Sequence, residues 1–481
     1  MPSVPFSPMF AKPEVQKAVK KLRRVLRSVL PDGVFAEREQ AALEITEEVV
    51  RGVLEEDLQR IGDSFGEHVL VAGIEYRRHE EGTGEYHSLC GSLSPKRATY
   101  RKVGVRNGPT IVPLELEAGL VEHATPALGE SVAHGYGCHD MRLHGEVLRT
   151  ARRTPPPRAT LERIATRVAQ KAVTEAPKIE KKIRRRETLP DGAHAIVVGL
   201  DRTSVPMVED RPDDAPPKPE PVRRTPLVRT PPKPFDVNWR MAYVGTVCVV
   251  DRHGLALHTT RYAAAACDEP KDIVDRMMED VRTARRREPL RVGVMQDGAH
   301  EMWNLVRAGL TTLREHGILR SWNEGIDRPH LLERLAAALE IAEPNTKERP
   351  ARLESWMEDL AKHDGAIDTI ESFLKLRSYT VIDPAKRKVL DDHLTYLDNN
   401  KDRMRYVTLR RRGLPIGSGV TESAAKTVIG KRTKGAGQRW REQGLRGVLT
   451  LRAVHQSDRF PEFWTFLSRC YVANIQDADA A

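Results

Sequence analysis

A layered α/β core with a helical insertion, preceded by a mixed α+β region, is the fold class this 481-residue sequence predicts. Three observations carry that reading. Compact apolar runs bounded by turn residues recur at 194–200 (HAIVVGL), 242–250 (AYVGTVCVV), 255–263 (LALHTTRYA) and 291–296 (RVGVMQ), as the strands of a buried sheet do. Helical patterns fill 270–287 and 300–316. From 331 to 409 the pattern is helical and charge-rich until Arg-Gly-Leu-Pro-Ile-Gly-Ser-Gly at 412–419 breaks it.

The elements ahead of this core read in order. Residues 1–65 form an N-terminal helical segment: Ala42, Ile45, Val49 and Val53 recur at helical spacing, and Val50, Leu54, Leu58 and Ile61 widen the stripe. Residues 66–118 read as a small β-rich region, with strands at HVLVAGIEYRR and TIVPLELEAG separated by Gly- and Ser-rich turns. Residues 119–187 are helical, broken at Pro155-Pro156-Pro157. MRLHGEVLRTA and ATLERIATRVAQKA flank that break and make either a helix-turn-helix DNA-binding unit or an ordinary packed pair. The core then divides into a first part at 190–330, the insertion at 331–409, a second part at 410–470 with basic helices, and a tail at 471–481. Within the first part, 206–234 contains ten prolines and is expected to be a flexible surface loop, neither strand nor helix.

Composition narrows the function classes. Hydrophobic residues make up 40% and charged residues 30%, which fits a soluble globular protein. The longest apolar runs fall far short of the roughly 20 residues a bilayer span needs. The start, MPSVPFSPMF, lacks the basic and apolar segments of a signal peptide. The five cysteines are scattered, which suits reduced thiols in the cytoplasm. His87 with Cys90, and Cys138 with His139, lack the paired Cys-x-x-Cys units of a zinc site, and none is expected from them. The net charge is +10, and its distribution is informative: from Arg410 to Arg452 eleven Lys/Arg face two acidic residues, Glu422 and Glu442. Such a stretch is either a solvated helix face or a nucleic-acid footprint.

Three carboxylates stand at element ends. Asp201 follows the strand IVVGL and Asp297 follows VGVMQ, where a rigid sheet aims side chains into a crevice. Asp297 also precedes a helix and could simply cap it. Glu422 follows the Gly-Ser-Gly turn, in a first helical turn that favours negative charge, with Lys426 four residues on as an alternative partner. Two Asp and one Glu converging on a cleft suit Mg²⁺ or Mn²⁺, and a pair of such ions suits phosphodiester chemistry.

The strings VGLDRTSVPM, VMQDGAHEMWN, GLPIGSGVTESAAK and KRTKGAGQRW, followed by VLTLRA, resemble the ISKra-type insertion-sequence DDE transposases over roughly residues 85–465. The resemblance implies an RNase H-like catalytic core with Asp201, Asp297 and Glu422 as its metal-binding triad and 331–409 as its helical insertion. Asp327-Arg328-Pro329-His330 is similar to the (C/D)-x-x-H motif of several such groups, which makes His330 a catalytic candidate, in contact with DNA or orienting a catalytic group; a structural histidine is the alternative. Arg-Pro stands there where the family pattern has aromatic residues, and the Pro-rich stretch is longer than that pattern needs. Lys431, Arg432, Lys434 and Arg439 are expected to meet phosphates, and Trp440 either stacks on a base or belongs to the core. The implied activity is Mg²⁺- or Mn²⁺-dependent cleavage of DNA at element ends and joining to target DNA. It would be carried out by a homodimer or larger assembly on DNA, nucleoid-associated in the cytoplasm. A related nuclease or resolvase, or a DNA-binding protein with a spent catalytic domain, shares the same features.

Overall fold

The computed structural model describes residues 20, 22–24, 27, 34–212, 235–297 and 299–478. In chain order the elements are α1 (Phe35–Asp63), β1 (His68–Val71), β2 (Ile74–Thr83), β3 (Tyr86–Ser88), β4 (Gly91–Leu93), β5 (Lys96–Lys102), β6 (Thr110–Ile111), α2 (Pro113–Glu117), α3 (Pro126–Cys138), α4 (Met141–Thr150) and α5 (Arg158–Arg186). The core follows with β7 (Ala195–Asp210), β8 (Phe235–Val250), β9 (Ala256–Ala264), α6 (Pro270–Arg287), β10 (Arg291–Gln296), α7 (His300–Glu315) and β11 (Asn323–Ile326). Then come α8 (Arg328–Ala342), α9 (Glu348–Lys362), α10 (Ala366–Ser378), α11 (Pro384–Asn400), α12 (Tyr406–Arg411), α13 (Gly419–Ala424), a π turn (Ala425–Gly430), α14 (Lys431–Thr433), α15 (Glu442–Gln456), α16 (Phe460–Ser468) and β12 (Ile475–Asp477). No described helix is long and apolar enough to cross a membrane.

The chain divides into two compact units, one of Met1–Val132, Asp140–Ala165 and Ser468–Ala481, the other of Ala133–His139 and Thr166–Leu467. The first holds an antiparallel sheet in the order β12-β1-β2-β5-β6 and the β3–β4 ribbon. Its α1 is helical as expected, but only the end of the stripe is used. Leu58 is buried with Leu54 and Ile61 against Tyr86, Leu93 and Leu114, whereas Val49, Val50 and Val53 are exposed. The connection between α4 and α5 departs from a helix-turn-helix. It spans 151–157, longer than that motif's three- to four-residue turn. The 29-residue α5 buries Leu161, Ile164, Val168, Ala172, Ile179 and Ile183 as a core stripe.

The second unit is built on a five-stranded mixed sheet in the order β11-β10-β7-β8-β9. β8 runs antiparallel to both of its neighbours, β7 and β9; β10 and β11 run parallel to β7. Ala195–Leu200 is buried at every position because the sheet is covered on both faces, which is why this strand reads as a continuous apolar run. The main core joins these strands to α6, α7 and the helices α8–α12, so 331–409 is helical as the sequence predicts and shares one core with the sheet.

The first hairpin corrects the expectation for 206–234. β7 runs on through Pro206 to Asp210, pairing with β8 out to Asp210↔Phe235; residues 213–234 of that stretch lie outside the described residues. Pro206 is tolerated because its carbonyl accepts from the Trp440 N–H at 3.0 Å. Its nitrogen therefore faces the same outer edge, and its missing N–H removes no rung of the hairpin. Asp201, expected after a strand end, accordingly lies inside β7 opposite Val244.

Candidate active site

Three devices bring distant acids to one cleft. The first is a splayed pair of strands. β7 and β10 pair only as far as Val198↔Val294. Beyond that rung the buried Gln296 side chain spans the gap, its Oε1 accepting from the Leu200 N–H at 3.3 Å. The strands thus part where Asp201 and Asp297 begin.

The second is a close approach that only glycine permits. A Cβ on Gly199 would stand 2.2 Å from Thr421 Oγ1 and 2.8 Å from the Met295 carbonyl oxygen. α13 therefore rests directly on β7. Buried Thr421 and Thr246 share a hydroxyl hydrogen bond of 2.7 Å beside this contact, which fixes the helix one residue before Glu422. Val205, Met207, Ala242 and Val244 of the hairpin pack on Ala424, Ala425, Val428 and Ile429 and on Leu445 and Leu449 of α15, extending the same seat. Gly199→Ala should lower unfolding stability by about 1–3 kcal/mol through overpacking, read by urea denaturation. Unchanged stability would mean that α13 adjusts freely and that this contact does not position Glu422.

The third is Asp327, directly after β11 and fully buried. One oxygen accepts from the Ser418 N–H of the Gly-Ser-Gly turn. The other accepts from the His330 N–H at 3.1 Å and pairs with His330 Nδ1 at 2.7 Å. A single carboxylate thus caps α8, holds the turn that starts α13 and orients the His330 ring. His330 Nδ1 also lies 3.6 Å from Glu422 Oε1.

The result is a cleft of about 600 Å³ lined by Asp201, Thr203, Gln296, Asp297, His330, Glu422, Lys426 and Lys434, among others. Burial raises the Asp201 pKa above its ordinary value, and the charges of Asp297 and Glu422 push it the same way, against the Arg202 N–H and His330. Burial works against a charged His330, but the Asp327 hydrogen bond and charge, then Glu422 and Glu333, outweigh it and raise its pKa. Asp297 Oδ1 accepts from the Ala299 N–H at 3.0 Å. Lys426 Nζ lies 3.5 Å from Glu422 Oε2, the pairing its spacing allows.

Among the described residues, Asp327, His330 and Glu422 offer ligand atoms within 4.8 Å of one another, a set in which neither Asp201 nor Asp297 takes part. Both Asp327 oxygens are already occupied by protein donors, so it acts as the orienting member. Asp201, Asp297 and Glu422, with His330 beside them, are among the groups that line the cleft. An oxygen-rich donor set whose charges push the Asp201 carboxyl upward fits a hard divalent cation, which would offset the repulsion.

The basic residues divide. Lys431, Lys434 and Arg439 are exposed. Lys434 Nζ donates to Thr203 Oγ1 at 2.6 Å on the cleft wall, and Arg439 lies 5.5 Å from the Phe235 ring. Arg432 departs from expectation: it is 5% exposed, its Nε donates to the Tyr136 carbonyl at 3.3 Å, and its guanidinium sits 4.9 Å from the Trp440 ring. Trp440 is partly buried, and its Nε1 donates to the Thr433 carbonyl at 3.1 Å. Its backbone covers the free edge of β7 through Pro206 and Val208, so it takes the core role of the two considered.

Sequence reasoning missed Asp327 as a hub, and Gln296 and Thr421 altogether. For Asp327 a signal existed: it follows β11 as Asp297 follows β10.

No family model matches the chain, and no curated protein matches it. Among solved structures the chain has a distant likeness to the Drosophila P element transposase strand transfer complex, at 12% identity over 72% of this chain and 81% of that chain, with a TM-score of 0.25. Function is therefore read from the residues of the cleft.

Proposed function

We propose that this chain is a DDE-type transposase of the ISKra type, which cuts DNA at the ends of an insertion sequence and joins the freed ends to target DNA. The observation that carries the proposal is the shared cleft of Asp201, Asp297 and Glu422, with the Asp201 carboxyl raised by burial first and then by the charges of the other two. The sheet supports it as well: three antiparallel strands followed by two parallel ones in the order β9-β8-β7-β10-β11 is the arrangement of an RNase H-like core.

Asp201, Asp297 and Glu422 would hold Mg²⁺ or Mn²⁺, as two ions. Bound there, such ions supply activation of the attacking oxygen and charge stabilisation at the phosphate. The protein's own groups do the rest. Gln296 and Gly199 hold the acids in register by keeping the strands parted and the helix close. His330, kept charge-prone by Asp327 through Nδ1, would offer its other ring nitrogen to a phosphate oxygen. Lys434, Lys431 and Arg439 hold the DNA backbone as point charges. Joining two element ends calls for at least two copies of the chain on DNA.

The test is cleavage of a DNA fragment carrying the element's own ends, with and without Mg²⁺, followed by capture of the cut 3′ ends in a target duplex. Cleavage with joining is the expected result. Cleavage without joining would replace the proposal with a nuclease, and binding without cleavage would replace it with a DNA-binding protein.

The division among the basic residues gives a second expectation. Lys434→Ala should weaken DNA binding across unrelated sequences and reduce the log–log salt slope by about 0.9. Arg432→Ala should instead lower stability by roughly 1–3 kcal/mol, through the lost hydrogen bond and ring contact. Salt titrations of binding and urea melts separate the two. A salt slope that changes for Arg432→Ala and not for Lys434→Ala would reverse the roles assigned here.

A further inference from the structure

A second cluster of ligand-bearing side chains lies away from the carboxylates, in the same compact unit. His134 and Cys138 are four residues apart on the last turns of α3 and so share one face. His455 stands near the C-terminal end of α15. One ligand atom from each of the three lies within 4.8 Å of the others. The His134 and His455 rings meet edge to face with centroids 4.5 Å apart. His455 Nδ1 is shut off from solvent and meets no hydrogen-bond partner, so that nitrogen is left without a protein donor or acceptor.

The backbone is built for this approach. A Cβ on Gly137 would stand 3.3 Å from the Arg452 nitrogen and from the Leu451 carbonyl carbon, so glycine lets α3 lie directly on α15. Arg452 fastens the contact, donating from Nη1 to the Gly137 carbonyl at 2.9 Å and from Nε to the Thr427 carbonyl at 2.6 Å. The three side chains are thus held together by helix packing, not by a mobile loop.

We propose that His134, Cys138 and His455 form a site for a borderline-soft transition metal ion, zinc by preference, which pins the last turns of α3 to α15. A thiolate with two imidazoles suits zinc and its neighbours and is a poor match for Mg²⁺, which takes oxygen. Three protein ligands leave a fourth, tetrahedral position, and His134 is exposed, so water reaches it. The donor chemistry separates this site from the carboxylate cleft: the two call for different ions. The sequence offered Cys138 with its neighbour His139, but a helix places residues four apart, not one apart, on a common face.

Cobalt(II) titration of the full chain after chelator treatment tests this directly. Binding should give a thiolate-to-cobalt charge-transfer band in the near ultraviolet at one equivalent, bleached by zinc. Cys138→Ser should abolish the band. His134→Gln and His455→Gln should each weaken zinc binding by at least about 10–100-fold, the loss that removal of even an outer partner brings. Asp201→Asn should leave the band unchanged. Thermal melts of the metal-free variants check folding. If Cys138→Ser does not fold, peptide-resolved alkylation of the wild type replaces it, with zinc expected to protect Cys138. The proposal is overturned if no charge-transfer band forms, if the band survives Cys138→Ser, if both His variants bind zinc as the wild type does, or if zinc leaves Cys138 alkylation unchanged.

Discussion

Asp201→Asn should abolish Mg²⁺-dependent DNA cleavage and, in the absence of metal, make the protein more stable at neutral pH. The two effects share one cause. Burial and the nearby charges of Asp297 and Glu422 raise the Asp201 pKa. A carboxyl whose folded-state pKa lies above its unfolded value binds its proton more tightly when folded. Stability therefore falls as pH rises from the unfolded value, about 3.9 for Asp, through the folded one, and it stays lower at neutral pH. Asparagine keeps the shape and the acceptor for the Arg202 N–H but carries no charge, so the cost disappears. The same charge is what a divalent cation needs. Added Mg²⁺ should raise the melting temperature of the wild type more than that of Asp201→Asn, and Glu422→Gln should show the same loss of response. Cleavage should fall by at least ~10²–10³-fold, the scale on which one preorganised charge-stabilising group is felt, while DNA affinity stays roughly intact. Melts in chelator at neutral pH, repeated below the ordinary Asp range where the stability difference should vanish, check the linkage. A metal-free Asp201→Asn protein less stable than the wild type, or one that still cuts DNA with Mg²⁺, would overturn the assignment of Asp201.

The first half of β7, then β8, β9 and β10, were legible because burial writes continuous apolar runs. β11 is only four residues long and was not, and the pairing of β10 with β7 rather than with β9 is a long-range choice that no local pattern carries. The helical insertion was legible from periodicity and charge. The hairpin beyond Leu200 was not. A proline inside it argued for a loop, and only the backbone of Trp440, more than two hundred residues away in sequence, makes that edge position acceptable. Arg432 misled for a similar reason: a basic run reads as a surface, but one turn of helix sends this side chain inward over Trp440. At the cleft, Asp201, Asp297 and Glu422 stood out because acids after apolar strands and after a Gly-Ser-Gly turn are chemically unusual. Gln296, Gly199 and Thr421 did not, because their importance lies in distances across the fold.

Asp327 is where the second large effect is expected. Asp327→Ala should destabilise the protein by about 3–5 kcal/mol, the range seen when one partner of a buried charged pair is removed. It is fully buried, and its two oxygens serve the Ser418 N–H and both the backbone and the ring of His330, all of which would lose their acceptor. Because Ser418 opens the turn into α13, Glu422 should lose its position too, and cleavage should fall even under conditions where the variant remains folded. Asp327→Asn separates the two roles. It keeps an oxygen for the Ser418 N–H but removes the charge that, against burial, raises the His330 pKa. A histidine whose folded pKa is raised adds stability that is fully present below its unfolded value, about 6.5, and lost as pH rises through the folded one. In the wild type the extra stability should therefore persist to pH values above that of a free histidine and then fade; in Asp327→Asn the fading should begin at lower pH. Because the ring is partly exposed, solvent screening limits the size of this effect. Nuclear magnetic resonance of ring-labelled histidine gives the His330 titration directly, and urea melts across the same pH range give its energetic counterpart. A wild-type His330 that titrates below the ordinary histidine value, or an Asp327→Ala protein with unchanged stability, would remove Asp327 from the centre of the site. Unchanged His330 titration in Asp327→Asn would transfer the pKa shift to Glu422 and Glu333 instead.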